Sequence, residues 1–232
     1  MGRRIKAVFF DAGNTLLYLD YQYIQEQAAV EGISTAAESI KRSEYNSRRA
    51  VDAAMAAGGL KDSDIWPMYF SGILRGIGMN DAVRIERTLA GIRERNTYFG
   101  LWVHVPDEVR STLSRLRNDG YKLGIISNSD GSLSSLLEKT GMAGMVDFAL
   151  DSFVVGCEKP APGIFKLALE KAGEPPEACI HVGDIEAADV AGARGVGIHP
   201  VLLDHLGEKS PPCDVISSIP EVYSVLNRLN LI

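Results

Sequence analysis

The amino-acid sequence predicts an α/β protein: a parallel sheet with helices on both faces, into which a bundle of helices is inserted. Three observations carry that expectation. The 232 residues open on a short apolar run that stops at a tight polar loop. Nine of the ten prolines stand at or after Pro106, leaving Pro67 alone before it, so the preceding stretch is free to be mostly helical. Beyond Pro106 helical and strand patterns alternate, which implies parallel strands joined by right-handed crossovers that put helices on both faces.

In chain order, Ile5-Lys6-Ala7-Val8-Phe9-Phe10 is nearly continuous in apolar residues and ends in Asp-Ala-Gly-Asn, which suits a strand buried on both faces followed by a tight loop. Residues 20–99 are rich in Ala, Glu, Arg and Gln. They predict about four helices, with Thr35-Ala36-Ala37-Glu38 as a capping box and with breaks at Gly58-Gly59 and Asn80-Asp81. Residues 106–119 place Val109, Leu113 and Leu116 on one helical face, with Gly120 as the stop. Strands follow at residues 122–127, 147–150, 179–183 and 196–203, separated by helices carrying Leu133, Leu136 and Leu137 and spanning residues 164–172. The tail from Asp214 predicts a short edge strand and a packing helix that buries Val222, Val225, Leu226 and Leu229.

Charge narrows the partners. With 24 basic against 30 acidic side chains, a net charge of -6 and no block of Lys and Arg, the chain lacks the footprint that nucleic acid or an anionic membrane would need. Cys157, Cys179 and Cys213 share no metal-ligand spacing and are odd in number, which argues against a zinc site or a disulfide framework and for a reducing, cytoplasmic setting. The opening apolar run is broken by Asp11, too early for a signal-peptide core, and no stretch approaches the ~18 apolar residues of a membrane span. Oligomeric state is open at this level.

In an open parallel sheet the ligand crevice lies beyond the carboxyl ends of the strands, so the polar residues just after strands matter. Asp11 follows the first strand, Ser127-Asn128 close the 122–127 strand, and Gly183-Asp184 close the 179–183 strand. Lys159 lies in Gly156-Cys157-Glu158-Lys159-Pro160, a loop whose proline is expected to introduce the next helix. Two carboxylates at neighbouring strand ends repel unless a cation sits between them, and Mg²⁺ with its oxygen ligands is the economical choice. Beside it Ser127 would donate a hydrogen bond to a phosphoryl oxygen and Lys159 would supply a point charge.

These residues resemble the four ordered motifs of the haloacid dehalogenase superfamily of hydrolases. Phe10-Asp11-Ala12-Gly13-Asn14-Thr15-Leu16 is similar to the first, Ile126-Ser127-Asn128 to the second, Lys159-Pro160 to the third, and Val182-Gly183-Asp184 with Asp189, five residues on, to the fourth. The resemblance implies a Rossmann-like core domain, residues 1–19 and 100–232, and a helical cap domain, residues 20–99, that closes over the site. It also implies that Asp11 is the nucleophile of a covalent aspartyl intermediate. Asp11, Asp184 and the Gly13 carbonyl would bind Mg²⁺; Ser127, Asn128 and Lys159 would bind phosphate; Asp189 and Thr15 would support them. The expected activity is phosphatase action on a small phosphorylated metabolite.

One departure qualifies that expectation. Phosphatases of this family usually carry a second Asp two residues after the nucleophile, as the acid/base for the leaving group, and this chain has Gly13 there. A positioned acid/base contributes about 10²- to 10⁴-fold in rate. Its loss favours leaving groups that need little protonation, such as aryl or acyl phosphates; Tyr18, Tyr21 and Tyr23 are candidate substitutes. Rival readings are a metal-independent 2-haloacid dehalogenase, which Asp184 argues against, a phosphonatase, which would need a desolvated Lys41 or Lys61, and a catalytically weak phosphate-binding protein. Arg42, Arg48 and Arg49 read as a solvated helix face, and His104, His181, His199 and His205 as structural or solvated. The run from Gly192 to Gly197 reads as a helix-to-strand turn.

Overall fold

The computed structural model describes residues 4–58, 60–209 and 211–231. The chain divides into two compact units, Met1–Tyr18 with Trp102–Ile232, and Leu19–Leu101.

In the first unit, β1 (Ala7–Phe10) lies at the centre of a six-stranded sheet with β4 (Lys122–Ser127), β5 (Phe148–Asp151), β6 (Cys179–Gly183), β7 (His199–Leu203) and β8 (Asp214–Ile216). The order is β5-β4-β1-β6-β7-β8, and every pairing is parallel. The chain builds outward from β1 through β4 to β5, then returns to place β6 on β1's other side. That reversal makes β1 and β6 the pair whose carboxyl ends flank the crevice of such a sheet. A small sheet of β2 (Tyr18–Leu19) and β3 (Trp102–His104) lies where the chain leaves and re-enters this unit. The sequence reading missed it, because strands of two or three residues are too short to display an alternation.

Side-chain alternation along the strands splits the core into two layers. Val8, Phe10, Ile125, Ile180 and Val182 face one layer, which includes Val109, Leu113 and Leu116 of α5 (Asp107–Asn118), Leu133 and Leu137 of α6 (Leu133–Lys139), and Val222, Val225, Leu226 and Leu229 of α10 (Val222–Leu231). Ala7, Phe9, Ile126 and Cys179 face the other, with Ile164, Phe165 and Ala168 of α8 (Pro162–Ala172) and Ala193 of α9 (Ala191–Gly195). After the short α7 (Ser152–Val155), Pro162, rather than the expected Pro160, begins α8, with Ala161 as its N-cap. A proline is well placed in a helix's first turn, where its missing N–H would be unsatisfied in any case.

The second unit holds α1 (Tyr21–Val30), α2 (Ala37–Ala56), α3 (Asp62–Gly76) and α4 (Ala82–Phe99) among the described residues. Asp81 caps α4 by accepting the Arg84 N–H at 2.8 Å, which accounts for the break read at Asn80-Asp81. Gly58 has φ +74°, and Gly59 lies outside the described residues. The Thr35 capping box does not form: α2 starts one residue later, with the extended Ala36 as its N-cap and no side-chain cap, and Thr35 uses its carbonyl to accept Gln25 Nε2 at 2.6 Å. Helices α2 and α3 approach closely through small residues. A Cβ on Gly72 would lie 2.1 Å from Ser47 Oγ, and one on Gly76 2.6 Å from Ser43 Oγ. Arg48 is no part of a solvated face, for it is buried with its Nε 3.2 Å from Glu44 Oε1, whereas Arg42 and Arg49 are exposed. No helix among the described residues is long and apolar enough to cross a membrane.

Candidate active site

Asp11, Ser127 and Asp184 sit where apolar strands run out, Lys159 in the loop that leads into α8, and Asp189 in the turn after Asp184. Asp11 follows β1, and its N–H bonds to the Val182 carbonyl of β6 at 2.8 Å, which ties the first strand end to the segment leading into Asp184. Asp11, Asp184, Asp189 and Lys159 are all buried. Lys159 Nζ donates to Asp11 Oδ1 at 2.5 Å and to Asp189 Oδ1 at 2.7 Å, bridging the two carboxylates. After Asp184 the chain makes one wide helical turn, residues Glu186–Val190, that carries Asp189 back beside β6. The fit there is close: a Cβ on Gly183 would stand 2.2 Å from Asp189 Cγ, so glycine is required at that strand end.

Asn128 holds the Lys159 loop. Its Oδ1 accepts the Lys159 N–H at 2.8 Å and its Nδ2 donates to the Lys159 carbonyl at 2.9 Å. Both ends of the amide therefore position Lys159. Ser127 ends β4 in register with Asp151 and is buried. Thr15 is fully buried with Oγ1 3.5 Å from Asp184 Oδ1, at the outer limit of a hydrogen bond. In the loop after Asp11, Asn14 adopts φ +54°, a left-handed conformation that Asn tolerates better than most residues. Its side chain accepts the Trp102 indole N–H at 3.1 Å, and a Cβ on Gly13 would lie 3.4 Å from that same indole nitrogen.

The electrostatics follow from burial. Desolvation pushes the Asp11 carboxyl up, the Lys159 charge pulls it down, and Asp189 and Asp184 push it up again, leaving it at about 7. Burial opposes the Lys159 charge, but Asp11 and Asp189 outweigh it and hold the ammonium above the usual lysine range. Burial likewise opposes ionisation of Asp189, yet the Lys159 charge and a bond to His181 keep it well below the usual carboxylate range. A carboxyl raised by burial and by two carboxylate neighbours is a place where a cation is favourable. The oxygens expected as ligands, the Asp11 and Asp184 carboxylates and the Gly13 carbonyl, are hard donors of the kind Mg²⁺ takes, with water completing its shell. No group of three or more His, Cys, Asp or Glu side chains among the described residues is arranged to hold a metal, so this fit depends on the main-chain oxygen.

The sequence reading missed three residues near the site. The sequence reads His181 as structural or solvated, and its Nε2 lies 2.9 Å from Asp189 Oδ1. The available signal was a polar residue within a strand otherwise apolar and buried on both faces. Trp102 meets Gly13 and Asn14, and His205 lies 3.3 Å from the Asn14 carbonyl and 3.2 Å from the Tyr18 hydroxyl; neither has a local sequence signature. Of the tyrosines considered as acids, Tyr18 reaches the loop, donating to the Thr15 carbonyl at 3.1 Å, whereas Tyr23 donates to the Gly91 carbonyl within the helical unit. Tyr21 also belongs to the helical unit, where burial and Glu44 hold its phenol above the usual range. Lys41 and Lys61 are exposed, without the desolvation a Schiff-base lysine needs.

Carboxylates and an ammonium gathered at the switch point of a parallel sheet define a strand-end ligand site of the α/β class. Residues 5–197 match the model of the haloacid dehalogenase-like hydrolases, and the chain belongs to that family. It is 37% identical to haloacid dehalogenase-like hydrolase domain-containing protein 3 of Mus musculus, over 75% of this chain and 70% of that protein. It is 32% identical to glyceraldehyde 3-phosphate phosphatase of Pyrococcus furiosus, over 98% of this chain and 95% of that one. The fold is shared with a 2-haloacid dehalogenase of Pseudomonas syringae, at a TM-score of 0.59 and 24% identity over 97% of this chain and 99% of that one.

Proposed function

We propose that the protein is a Mg²⁺-dependent phosphatase of small phosphorylated metabolites that works through an aspartyl phosphate on Asp11. The observation that carries this reading is the buried bridge from Asp11 through Lys159 to Asp189, with the Asp11 carboxyl raised by burial and then by Asp189 and Asp184. The Asp11 carboxylate attacks phosphorus, and the bond to the leaving oxygen breaks with its electron pair. Water then attacks the aspartyl phosphate, which releases inorganic phosphate and restores Asp11. Lys159 and Ser127 hold the phosphoryl oxygens, and Asn128 keeps Lys159 in place. Asp11, Asp184 and the Gly13 carbonyl would hold Mg²⁺, which when bound neutralises charge on the phosphoryl oxygens and favours the ionised form of Asp11. Support for a phosphorylated substrate comes from the Pyrococcus relative, named for a phosphatase and aligned over nearly the whole chain. The free thiols of Cys157, Cys179 and Cys213 suit a reducing, cytoplasmic setting.

With Gly13 in place of an acid, flanked by an indole and an amide that do not release protons at neutral pH, aryl and acyl phosphates should turn over faster than alkyl esters. A panel of phosphate esters assayed with and without Mg²⁺, with Asp11→Asn as the control, tests both points. The expected result is metal-dependent phosphate release that disappears in Asp11→Asn. Equal rates on aryl and alkyl esters would remove the leaving-group argument, and an unchanged Asp11→Asn would remove the nucleophile. Gly13→Asp should raise activity on alkyl esters if the missing acid is the limitation. Gly13 also keeps a second reading in play, a 2-haloacid dehalogenase, which halide release insensitive to a chelator would reveal.

A further inference from the structure

His181 stands out as a buried titratable side chain that the reaction as written does not use. It projects from β6 on the face of Cys179, into the layer that contains Phe165, whose ring meets the imidazole edge-on at 5.2 Å. An imidazole is a costly choice there, because each ring nitrogen must find a partner or lose its hydration for nothing. One of them has a partner: Nε2 lies 2.9 Å from Asp189 Oδ1. The other, Nδ1, is buried with no hydrogen-bond partner among the described residues.

We propose that His181 is a positioning residue for Lys159, holding the Asp189 carboxylate with a neutral ring whose proton sits on Nε2. The inference rests on the phosphatase reading above for its kinetic consequence, though not for its geometry. Asp189 is ionised, because three donors converge on it: Lys159 Nζ at 2.7 Å and His181 Nε2 at 2.9 Å on Oδ1, and the Ile185 N–H at 3.1 Å on Oδ2. A carboxylate only accepts, so Nε2 carries the hydrogen. Were Nδ1 protonated as well, a cationic N–H would be buried without an acceptor, beside the Lys159 ammonium. The lone pair is the cheaper orphan, and burial pulls the His181 pKa down accordingly.

The consequence concerns how one ammonium is shared. His181 and Lys159 donate to the same oxygen of Asp189, and Lys159 also donates to Asp11 at 2.5 Å. With His181 in place, Asp189 draws part of its stabilisation from the imidazole and leaves Lys159 directed at the nucleophile. Without it, Asp189 must take more of Lys159, and the ammonium moves away from the place where charge develops during transfer. A residue acting this way changes the rate of the chemical step and leaves substrate affinity nearly alone.

The test uses the full chain, His181→Leu, which removes the donor, and His181→Gln, whose amide N–H can point the same way. In the phosphate-ester assay with Mg²⁺, His181→Leu is expected to lose about 10- to 100-fold in kcat with KM within about twofold. His181→Gln is expected to recover to within about fivefold of the unaltered protein. Leucine at full kcat, or glutamine no better than leucine, overturns the proposal. Nitrogen NMR reads the same claim independently of turnover. In the unaltered protein the His181 ring should show a neutral Nε2–H tautomer, and a doubly protonated or Nδ1–H ring overturns it. The Lys159 Nζ resonance should shift in His181→Leu, or in His181→Gln if the leucine variant does not fold, and an unmoved resonance overturns it. If the unaltered protein released no phosphate from any ester, the function would fail while these resonances still decided the role of His181.

Discussion

Both units of the protein bury charge, and they do so on different terms. In the helical unit Glu44 is met by Arg48 Nε at 3.2 Å and by the Tyr69 hydroxyl at 2.8 Å, so a carboxylate is balanced by a guanidinium and a phenol. Tyr69 keeps its proton, since burial and then Glu44 hold its pKa well above the usual phenol range. At the strand ends of the α/β unit, Asp11, Asp184 and Asp189 are all buried, and Lys159 is bonded to two of them. The first cluster is closed, as a structural ion pair needs to be. In the second, burial first and then the neighbouring carboxylates raise Asp11 to about 7, and the excess of negative charge asks for a cation, which is how a site differs from a staple.

The largest expected effect is on chemistry. Asp11→Asn should reduce phosphate release by about 10⁴-fold or more in the ester assay, while the corresponding Glu44→Gln change in the closed cluster should leave kcat within about threefold. A comparable loss from both would erase the distinction between the two clusters.

Removing one charged partner from each cluster separates them further. Lys159→Met and Glu44→Ala should each cost about 3–5 kcal/mol in urea unfolding at pH 8, because each removes one side of a buried charge pair. For Lys159→Met the penalty should shrink toward pH 5. Asp11 already titrates near 7 with Lys159 present, so on acidification it takes up a proton and sheds its charge. For Glu44→Ala the buried Arg48 stays charged throughout, and its penalty should not fall.

Metal addition gives a smaller and more specific signal. Because the folded-state pKa of Asp11 is raised from the ordinary 3.8 to about 7, its contribution to stability is present in full below about pH 4 and is lost as pH rises through about 7. Mg²⁺ at a hundredfold over its Kd adds about 2.7 kcal/mol, and the rise in Tm should be larger at pH 8 than at pH 5. An equal rise at both values would disconnect the ion from Asp11. Smallest of all, Gly72→Ala should cost about 1–3 kcal/mol by forcing α2 and α3 apart, with no change in the preference among leaving groups.

How much of this was readable beforehand differs by element. The strands at Lys122–Ser127 and Cys179–Gly183 match the segments read as residues 122–127 and 179–183, because a strand buried on both faces has to be apolar throughout. Capping at Thr35 failed because several small residues compete to start α2 and local pattern does not rank them. Arg48 was misjudged because a charge on a helix looks solvated until its neighbour at Glu44 and the facing Tyr69 are known. His181 was passed over for a related reason: its partner, eight residues on, is brought beside it by a wide turn that the residue pattern does not announce.

Residue order alone placed the candidate groups at the carboxyl edge of the sheet, since the first polar residue after a buried strand must emerge there. Which of them touch was settled by the crossovers. Asp11 and Lys159 stand 148 positions apart, and Lys159 and Asp189 stand 30 apart, so their meeting depends on β6 returning to the side of β1. Hydrophobicity is carried by contiguous residues and survives in the linear chain. Charge sharing among buried groups depends on distance and desolvation, which exist only once the sheet has closed around them.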